Sequence, residues 1–288
     1  MDQQKHNVIN VHTIYVVPTP IGNIKDITER ALDVLKYVDL IVSEDTRKTK
    51  ILLKHFKINT KTYSLHDYNE RKKTPKLIKK LQYGYSIALV SDSGTPLIND
   101  PGFYFINSCR KVGIKVVILP GACAIITALL SSGLPTFSFC YQGFLPTKTK
   151  KRKNILKKLE KESRTLIFYE STHRLLYTLE DIIETWGDDR YIVLVRELTK
   201  AWENIEGRPA KKLLEWIKEN EIRKRGEIVL VIEGYKDLKN NLNISDDVIF
   251  TLNLLQKELS PKKAASITEK IHKLKKNILY DFMIKYNK

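Results

Sequence analysis

Short runs of apolar, mostly β-branched residues recur along the chain, and each run is bounded by residues that favour turns. The runs cover residues 14–17, 40–42, 87–90, 116–119, 137–141, 166–169, 192–195 and 228–232. Continuous apolar runs of this length predict strands that are buried on both faces. The stretches between them have helical spacing, for example Ile27, Ala31, Leu35 and Val38. We therefore predict an α/β protein with largely parallel sheets.

The composition changes around residues 143–153, where Gly-Phe-Leu-Pro leads into a lysine-rich stretch. This change predicts an N-terminal α/β domain over residues 1–143 and a second α/β domain over residues 144–236. A polar stretch then introduces a small helical C-terminal segment over residues 245–288. In that segment residues 248–255 and 267–284 are predicted helices, with Ser260 and Pro261 as a turn and helix start.

Several classes of protein are excluded by motifs that the sequence lacks. Cys109, Cys123 and Cys140 form no CxxC pair, and the six histidines show no HExxH spacing, so we predict reduced thiols and no metal site. The N-terminus has no signal peptide character, and no apolar run approaches the roughly 18 residues that a membrane helix needs. We therefore expect a soluble cytoplasmic protein with no membrane partner.

The charge balance favours a polyanionic partner. Lys and Arg number 50 against 33 Asp and Glu, which gives a net charge of +17, and nucleic acid is the simplest partner for such a surplus. The alternative is that a lysine-rich composition reflects an AT-rich genome. Residues 148–161 hold eight basic residues against the single acid Glu160, which is more than a uniform bias would place there.

Four of the predicted strands end in turns that are rich in Gly, Pro or acidic residues, at residues 18–23, 43–47, 91–102 and 120–121. In open α/β sheets, ligands bind at the carboxyl ends of the strands. The segment 91–102 is longer than a plain connection requires and carries Asp92, Gly94 and Asp100. No GxGxxG, GxxxxGK[ST] or GxSxG motif is present, so dinucleotide oxidoreductases, P-loop NTPases and acyl hydrolases fit poorly.

Six segments, taken in order, resemble the ribosomal RNA small subunit methyltransferase I family of the tetrapyrrole methylase superfamily. They are PTPIGN at 18–23, SEDTR at 43–47, SDSGTPLINDPG at 91–102, Pro120-Gly121, YESTHR at 169–174 and RELTK at 196–200. The resemblance spans roughly residues 14–285 and includes SPKKAA at 260–265. It implies an S-adenosylmethionine-dependent enzyme that methylates the 2′-hydroxyl of one cytidine in 16S rRNA of the small ribosomal subunit, near the decoding centre. It also implies two α/β domains with the cofactor in the cleft between them, in a homodimer.

The resemblance further implies which residues hold the cofactor. From the first domain these would be Pro18, Asp92, Gly94, Leu97, Ile98, Pro120, Gly121 and Ala122. From the second domain they would be Tyr141, Gly143, Thr199 and Gly226, with residues 144–146 as the hinge.

A ribose hydroxyl is a poor nucleophile, so a base or cation beside the 2′-oxygen would assist its attack on the methyl group. Asp45, Arg47, His66 and Asp92 are the candidates, and Arg47 would also suit a phosphate. The alternative for Glu44 and Asp45 is helix N-capping. For Arg196 and Glu197 the favoured interpretation is a buried ion-pair network with no catalytic role.

Basic residues would contact the RNA backbone without reading its sequence. The candidates are Lys148, Lys150, Lys151, Arg152, Lys153 and Arg174, together with the C-terminal lysines. The alternative for the lysine-rich segment is a solvated helix face. Two rival functions are a methylase that acts on a tetrapyrrole or another small acceptor, and a ribosome-associated RNA-binding protein without catalytic activity.

Overall fold

The structure, a computed structural model, describes residues 9–236 and 246–274 together with Leu279 and Phe282. The chain forms two compact units, residues 1–234 and 235–288. No helix in the described ranges combines the length and apolar character that a membrane crossing requires. The prediction that concerns the extreme N-terminus lies outside the described residues, and so does the RNA-contact prediction where it falls on Lys275, Lys276, Lys285 and Lys288.

The first unit begins with a fully parallel five-stranded sheet of order β3-β2-β4-β1-β5. Its strands are β1 (Thr13–Val16), β2 (Leu40–Ser43), β3 (Thr62–Ser64), β4 (Ile87–Val90) and β5 (Lys115–Ile118). Its helices are α1 (Glu29–Tyr37), α2 (Thr46–His55), α3 (Glu70–Gln82), α4 (Phe103–Lys111) and α5 (Ala124–Ser131). A short 3-10 helix, Ile24–Asp26, precedes α1.

Alternate residues of the strands pack on opposite faces of this sheet, because successive side chains of a strand point to opposite sides. Ile14 and Val16 lie in one buried cluster with Leu77 of α3, whereas Tyr15 lies in another with Val34 of α1. Both faces are therefore covered by helices, which explains why these strands are continuous apolar runs.

The second sheet, also in the first unit, has the order β6-β7-β10-β8-β9. Its strands are β6 (Phe139–Phe144), β7 (Thr165–Glu170), β8 (Tyr191–Arg196), β9 (Asn204–Pro209) and β10 (Ile228–Ile232). Helices α6 (Thr149–Leu159), α7 (Leu175–Trp186) and α8 (Ala210–Lys218) pack on one face, and a 3-10 helix, Glu221–Lys224, follows α8. The opposite face packs against α5 through Ile125, Ala128 and Leu129.

The α/β fold class is confirmed, and each of the eight predicted runs overlaps a strand. The strands β3 and β9 were not predicted, since β3 has only three residues and β9 contains Gly207 and Pro209. Both lie at sheet edges, where a weak apolar pattern is tolerated.

The expectation of largely parallel sheets is wrong for the second sheet. Only β6 and β7 pair in parallel there, whereas β10 pairs antiparallel with β7 and β8, and β8 pairs antiparallel with β9. The strand direction could not be read from the sequence because buried strands in either arrangement are apolar runs. The predicted boundary at residue 143 falls inside β6, a strand of the second sheet, so the change of sheet comes earlier in the chain.

In the second unit, α9 (Asp246–Gln256) matches the predicted helix at 248–255. Helix α10 (Pro261–His272) starts as predicted, with Ser260 as its N-cap residue and proline in its first turn. The predicted helix at 267–284 is wrong in its bounds, because α10 starts at Pro261 and ends at His272, and the following residue, Lys273, adopts a left-handed conformation with φ of 56°. Of residues 275–284, only Leu279 and Phe282 belong to the described part of the chain, and both are helical. Val248, Leu252 and Ala265 form part of the core of this unit.

Candidate active site

The loops that follow β1 to β5 all lie at the carboxyl end of the first sheet, because its five strands run in the same direction. The loop over residues 91–102 is held to the loop after β1 by two backbone hydrogen bonds between Thr19 and Gly94, with N···O distances of 2.9 and 3.0 Å. Leu97 and Asn99 have φ values of 76° and 61°, a strained conformation for residues other than glycine. The segment that the sequence singled out is therefore a shaped loop and not a plain connection.

A cavity of about 270 Å³ lies between this end of the first sheet and the second sheet. From the first half of the unit it is lined by Ile21, Gly94, Ile98, Asn99, Asp100 and Ala124, among others. From the second half it is lined by Phe144, Tyr169, Glu170, Val195, Glu227 and Ile228, among others. Its walls combine aliphatic and aromatic side chains with three carboxylates, which is typical of a small-molecule site.

Asp100 is a carboxylate of the cavity wall with a perturbed acidity. Burial raises the pKa of Asp100 to about 6, and the nearby carboxylates of Glu44 and Asp92 raise it further while Ser91 opposes them through a hydrogen bond. Asp100 therefore changes its charge just below neutral pH. Above its pKa the carboxylate is ionised and can accept a proton. It was missed as a catalytic candidate because its burial and its acidic neighbours come from distant parts of the chain.

Two hydrogen bonds connect the two halves of the unit beside the cavity. Tyr141 donates its hydroxyl hydrogen to Oδ1 of Asn99 over 2.5 Å, and the backbone N–H of Asn23 donates to the hydroxyl of Thr199 over 2.9 Å. Gly143 has a φ of 66°, and a Cβ atom there would lie 3.3 Å from the Asn99 amide. Tyr141, Gly143 and Thr199 thus position the cavity wall without lining it.

Among the other predicted cofactor residues, Gly94 and Ile98 line the cavity. Gly121 contacts Pro18 closely, since a Cβ atom on Gly121 would lie 2.7 Å from the Pro18 Cβ. Ala122 accepts a hydrogen bond from the Thr95 hydroxyl, beside the lining residue Ala124. Leu97 packs on the core of the first sheet, Pro120 is exposed, and Gly226 lies at a second cavity.

The structure places Asp45 and Arg47 outside the cavity wall. Asp45 is the N-cap residue of α2 and accepts hydrogen bonds from the backbone N–H and the guanidinium of Arg47. These bonds lower the pKa of Asp45 to about 2, so it is a poor proton acceptor. The N-capping alternative therefore describes Asp45. Glu44 instead has a raised pKa, caused by burial and then by the Asp92 charge.

Asp92 and His66 also lie outside the cavity wall. The Asp92 carboxylate accepts the backbone N–H of Asp45 at 3.1 Å and pairs with Lys48 at 2.9 Å. The His66 ring nitrogen Nε2 lies 2.5 Å from the Asn69 amide nitrogen, while its Nδ1 is buried without a hydrogen-bond partner in the described residues. Both side chains are engaged in the loop structure at the carboxyl end of the sheet.

Two of the six predicted RNA contacts are structural residues. Arg152 has a side chain only 3% exposed, pairs with Asp181 at 2.6 Å and donates to the carbonyls of residues 146 and 147, so its assignment to RNA is wrong. Arg174 pairs with Glu170 at 3.1 Å and donates to the Leu145 carbonyl. Glu197 belongs to an ion-pair network, since Lys200 pairs with both Glu197 and Glu227, whereas the Arg196 guanidinium donates to backbone carbonyls.

The remaining predicted RNA contacts differ in whether the lysine pairs with an acidic side chain. Lys148, Lys150 and Lys151 are exposed at the start of α6. Lys153 pairs with Glu184 at 2.5 Å on the helix surface. In the described part of the chain no group of three or more His, Cys, Asp or Glu residues is arranged to hold a metal ion.

Comparisons with known proteins agree with this architecture. The chain matches the tetrapyrrole (corrin/porphyrin) methylases over residues 13–214 and the RsmI C-terminal HTH domain over residues 243–285. It is 57% identical to the ribosomal RNA small subunit methyltransferase I of Escherichia coli O157:H7, with 94% of each chain covered. The Vibrio cholerae protein of that name is 55% identical, with 93% of this chain and 92% of the relative covered.

Among solved structures, the chain has the fold of a uroporphyrin-III C-methyltransferase from Thermus thermophilus complexed with S-adenosyl homocysteine. The TM-score is 0.54 at 13% identity, and the match covers 77% of this chain and 97% of that protein. At this identity the likeness concerns the fold alone.

Proposed function

Because the chain belongs to the ribosomal RNA small subunit methyltransferase I family of the tetrapyrrole methylases, we propose that it transfers a methyl group from S-adenosylmethionine to RNA. The acceptor is the 2′-hydroxyl of one cytidine in 16S rRNA of the small ribosomal subunit, near the decoding centre. The observation that carries the proposal is the cavity between the two sheets, with Asp100 in its wall. We further propose that the enzyme works in the cytoplasm as a homodimer.

The cavity fits S-adenosylmethionine in its chemistry. When bound, this cofactor supplies an electrophilic methyl group on a positively charged sulfonium. Ile21, Ile98 and Val195 offer aliphatic walls to the uncharged parts of such a ligand. Phe144 and Tyr169, whose ring centroids are 5.5 Å apart, together with nearby carboxylates favour its positive charge.

The residues of this chain contribute positioning and one proton acceptor. The loop 91–102 and the Tyr141–Asn99 hydrogen bond hold the cavity in one shape, and most of the acceleration of a transfer between two bound reactants can come from such positioning. Asp100 accepts the proton of the attacking hydroxyl, since its pKa of about 6 leaves it ionised at neutral pH and still basic enough to act.

Exposed lysines at the start of α6 would hold the RNA backbone. Lys148, Lys150 and Lys151 are exposed, whereas Arg152 beside them is buried. Such contacts neutralise phosphates and make binding fall steeply as the salt concentration rises. The net charge of +17 supports a polyanionic acceptor over a small one.

The test is methyl transfer from labelled S-adenosylmethionine to small ribosomal subunits that lack the modification. Naked 16S rRNA and a tetrapyrrole serve as parallel acceptors, and nuclease mapping locates the product. We expect label in a single 2′-O-methylcytidine. Label in the tetrapyrrole alone would assign the chain to small acceptors, and subunit binding without any transfer would leave a non-catalytic RNA-binding protein.

A further inference from the structure

A second cavity, of about 600 Å³, lies on the helical side of the second sheet. Its wall is formed by the start of α7 with the loop before it, and by the 3-10 helix Glu221–Lys224 with the two residues after it. His173, Tyr177, Lys224 and Arg225 are among the residues that line it. None of these lines the first cavity.

The two cavities are neighbours at one end of the second sheet, where β7 ends and β10 begins. Glu170 of β7 is paired in register with Ile228 of β10, and both residues line the first cavity. Thr172, two residues after Glu170, and Gly226, two residues before Ile228, line the second cavity. A chain-like ligand that enters the first cavity can therefore reach the second one across the end of β7 and β10.

The wall of the second cavity offers an aromatic ring and an unengaged cation. The Tyr177 side chain is 63% exposed. Arg225 is exposed, and its guanidinium forms no ion pair or hydrogen bond with the described residues. The carboxylates in the wall are already paired, Glu180 with Lys218 at 2.9 Å and Glu221 with Lys224.

We propose that the second cavity binds one nucleotide of the RNA strand that flanks the target nucleotide, with its base stacked on Tyr177 and its phosphate against Arg225. This inference rests on the proposed function. Stacking on an aromatic side chain accepts any base, and a guanidinium matches the geometry of a phosphate.

The exposed lysines at the start of α6 lie at the same end of the sheet. Helices α6 and α7 each follow one of the parallel strands β6 and β7, so both helices begin at the carboxyl ends of those strands. Lys148 and Lys151 would therefore continue the backbone contacts that Arg225 begins.

The experiment compares Tyr177→Ala and Arg225→Ala with the matched controls Tyr83→Ala and Arg110→Ala. Tyr83 is 84% exposed, Arg110 is also exposed, and both lie away from the two cavities, near the ends of α3 and α4. Binding of unmodified small subunits is measured over a range of salt concentrations. The affinity for S-adenosylmethionine and the kcat and KM for the subunit are measured alongside.

We expect Tyr177→Ala to weaken subunit binding by roughly 5- to 150-fold, with KM rising and the affinity for S-adenosylmethionine unchanged. Tyr177→Trp keeps an aromatic surface and should bind like the wild type. Arg225→Ala should reduce the slope of log affinity against log salt by about one. The controls should retain wild-type binding.

Each contrary result is decisive. If the wild type methylates the subunit but Tyr177→Ala and Arg225→Ala bind it as the wild type does, the second site is refuted and the proposed function stands. Loss of S-adenosylmethionine affinity equal to the loss of subunit binding would also refute it, since it would indicate a structural role. If the wild type transfers no methyl group to RNA, the proposed function fails and the inference falls with it.

Discussion

Arg152 sits in the lysine-rich stretch that suggests RNA binding, yet the structure predicts that its replacement damages stability. Its side chain is 3% exposed, and its Nε donates to Asp181, itself only 8% exposed, over 2.6 Å. Removal of one partner of a buried ion pair costs about 3–5 kcal/mol because the other charge stays buried without its partner. Lys153 lies 3.6 Å from the same carboxylate and offsets part of that cost.

We therefore expect Arg152→Met to lower the free energy of unfolding by about 3 kcal/mol, near the bottom of that range. In a protein of this size such a loss corresponds to a fall in Tm of roughly 6–12 °C. Thermal unfolding followed by circular dichroism measures it. The matched control is Lys151→Met, the exposed neighbour on the same helix, whose effect on stability should stay within about 0.5 kcal/mol.

The double variant Arg152→Met with Asp181→Leu separates the ion pair from other contacts of the arginine. Replacement of both charges by apolar side chains leaves no unpaired buried charge, so most of the lost stability should return. Subunit binding of the folded double variant should equal that of the wild type, whereas Lys151→Met should weaken it. The reasoning is refuted if Arg152→Met keeps the wild-type Tm and loses RNA affinity as Lys151→Met does.

Three further predictions concern the cavity. The kcat for methyl transfer should fall as the pH drops through about 6, where Asp100 becomes protonated. The pH profile of Asp100→Asn should lack this inflection, whereas that of the control Asp45→Asn should keep it. An unchanged profile in Asp100→Asn would exclude Asp100 as the base. The pKa of Asp100 is raised in the folded state, so ionisation of Asp100 destabilises the fold above pH 6 and has no such effect below about pH 4. Chemical denaturation at pH 8 should therefore show that Asp100→Asn is more stable than the wild type by about 1–2 kcal/mol. Gly143→Ala should cost about 1–2 kcal/mol for its left-handed conformation and also weaken S-adenosylmethionine binding in calorimetry, because the new Cβ presses on Asn99. The control is Gly113→Ala, at a φ of 74° with no atom within 4 Å of the added Cβ, which should lower stability without weakening cofactor binding. Equal cofactor affinity in Gly143→Ala and Gly113→Ala would contradict the role given to the contact with Asn99.

Much of the fold could be predicted because its signals are local. Apolar runs bounded by turn residues identified eight strands, and the Ser260-Pro261 pair identified the start of α10. The loop over residues 91–102 was found because an unusual density of Gly, Pro and Asp follows a buried strand. Each of these patterns lies within about a dozen consecutive residues, so one stretch of sequence is enough to reveal it.

Part of the candidate site could be predicted in the same way, and part could not. The strand-end loops place Gly94 and Ile98 at the cavity, and this follows from the rule that ligands bind at the carboxyl ends of parallel strands. Asp45 was a catalytic candidate by residue type alone, and its role as an N-cap residue is visible only in its bonds to Arg47.

The sequence by itself determined the α/β class, the positions of the strands and the loops that form the site, because apolar periodicity and turn preferences act between near neighbours. Only the tertiary structure decided that the second sheet is mostly antiparallel, that Arg152 is buried and that Asp100 titrates near neutral pH. Burial and pKa depend on groups that are distant in the chain, such as Asp181 for Arg152 and Glu44 for Asp100. Since electrostatic energies are set by distance and solvent exposure in three dimensions, residue type alone could not reveal them.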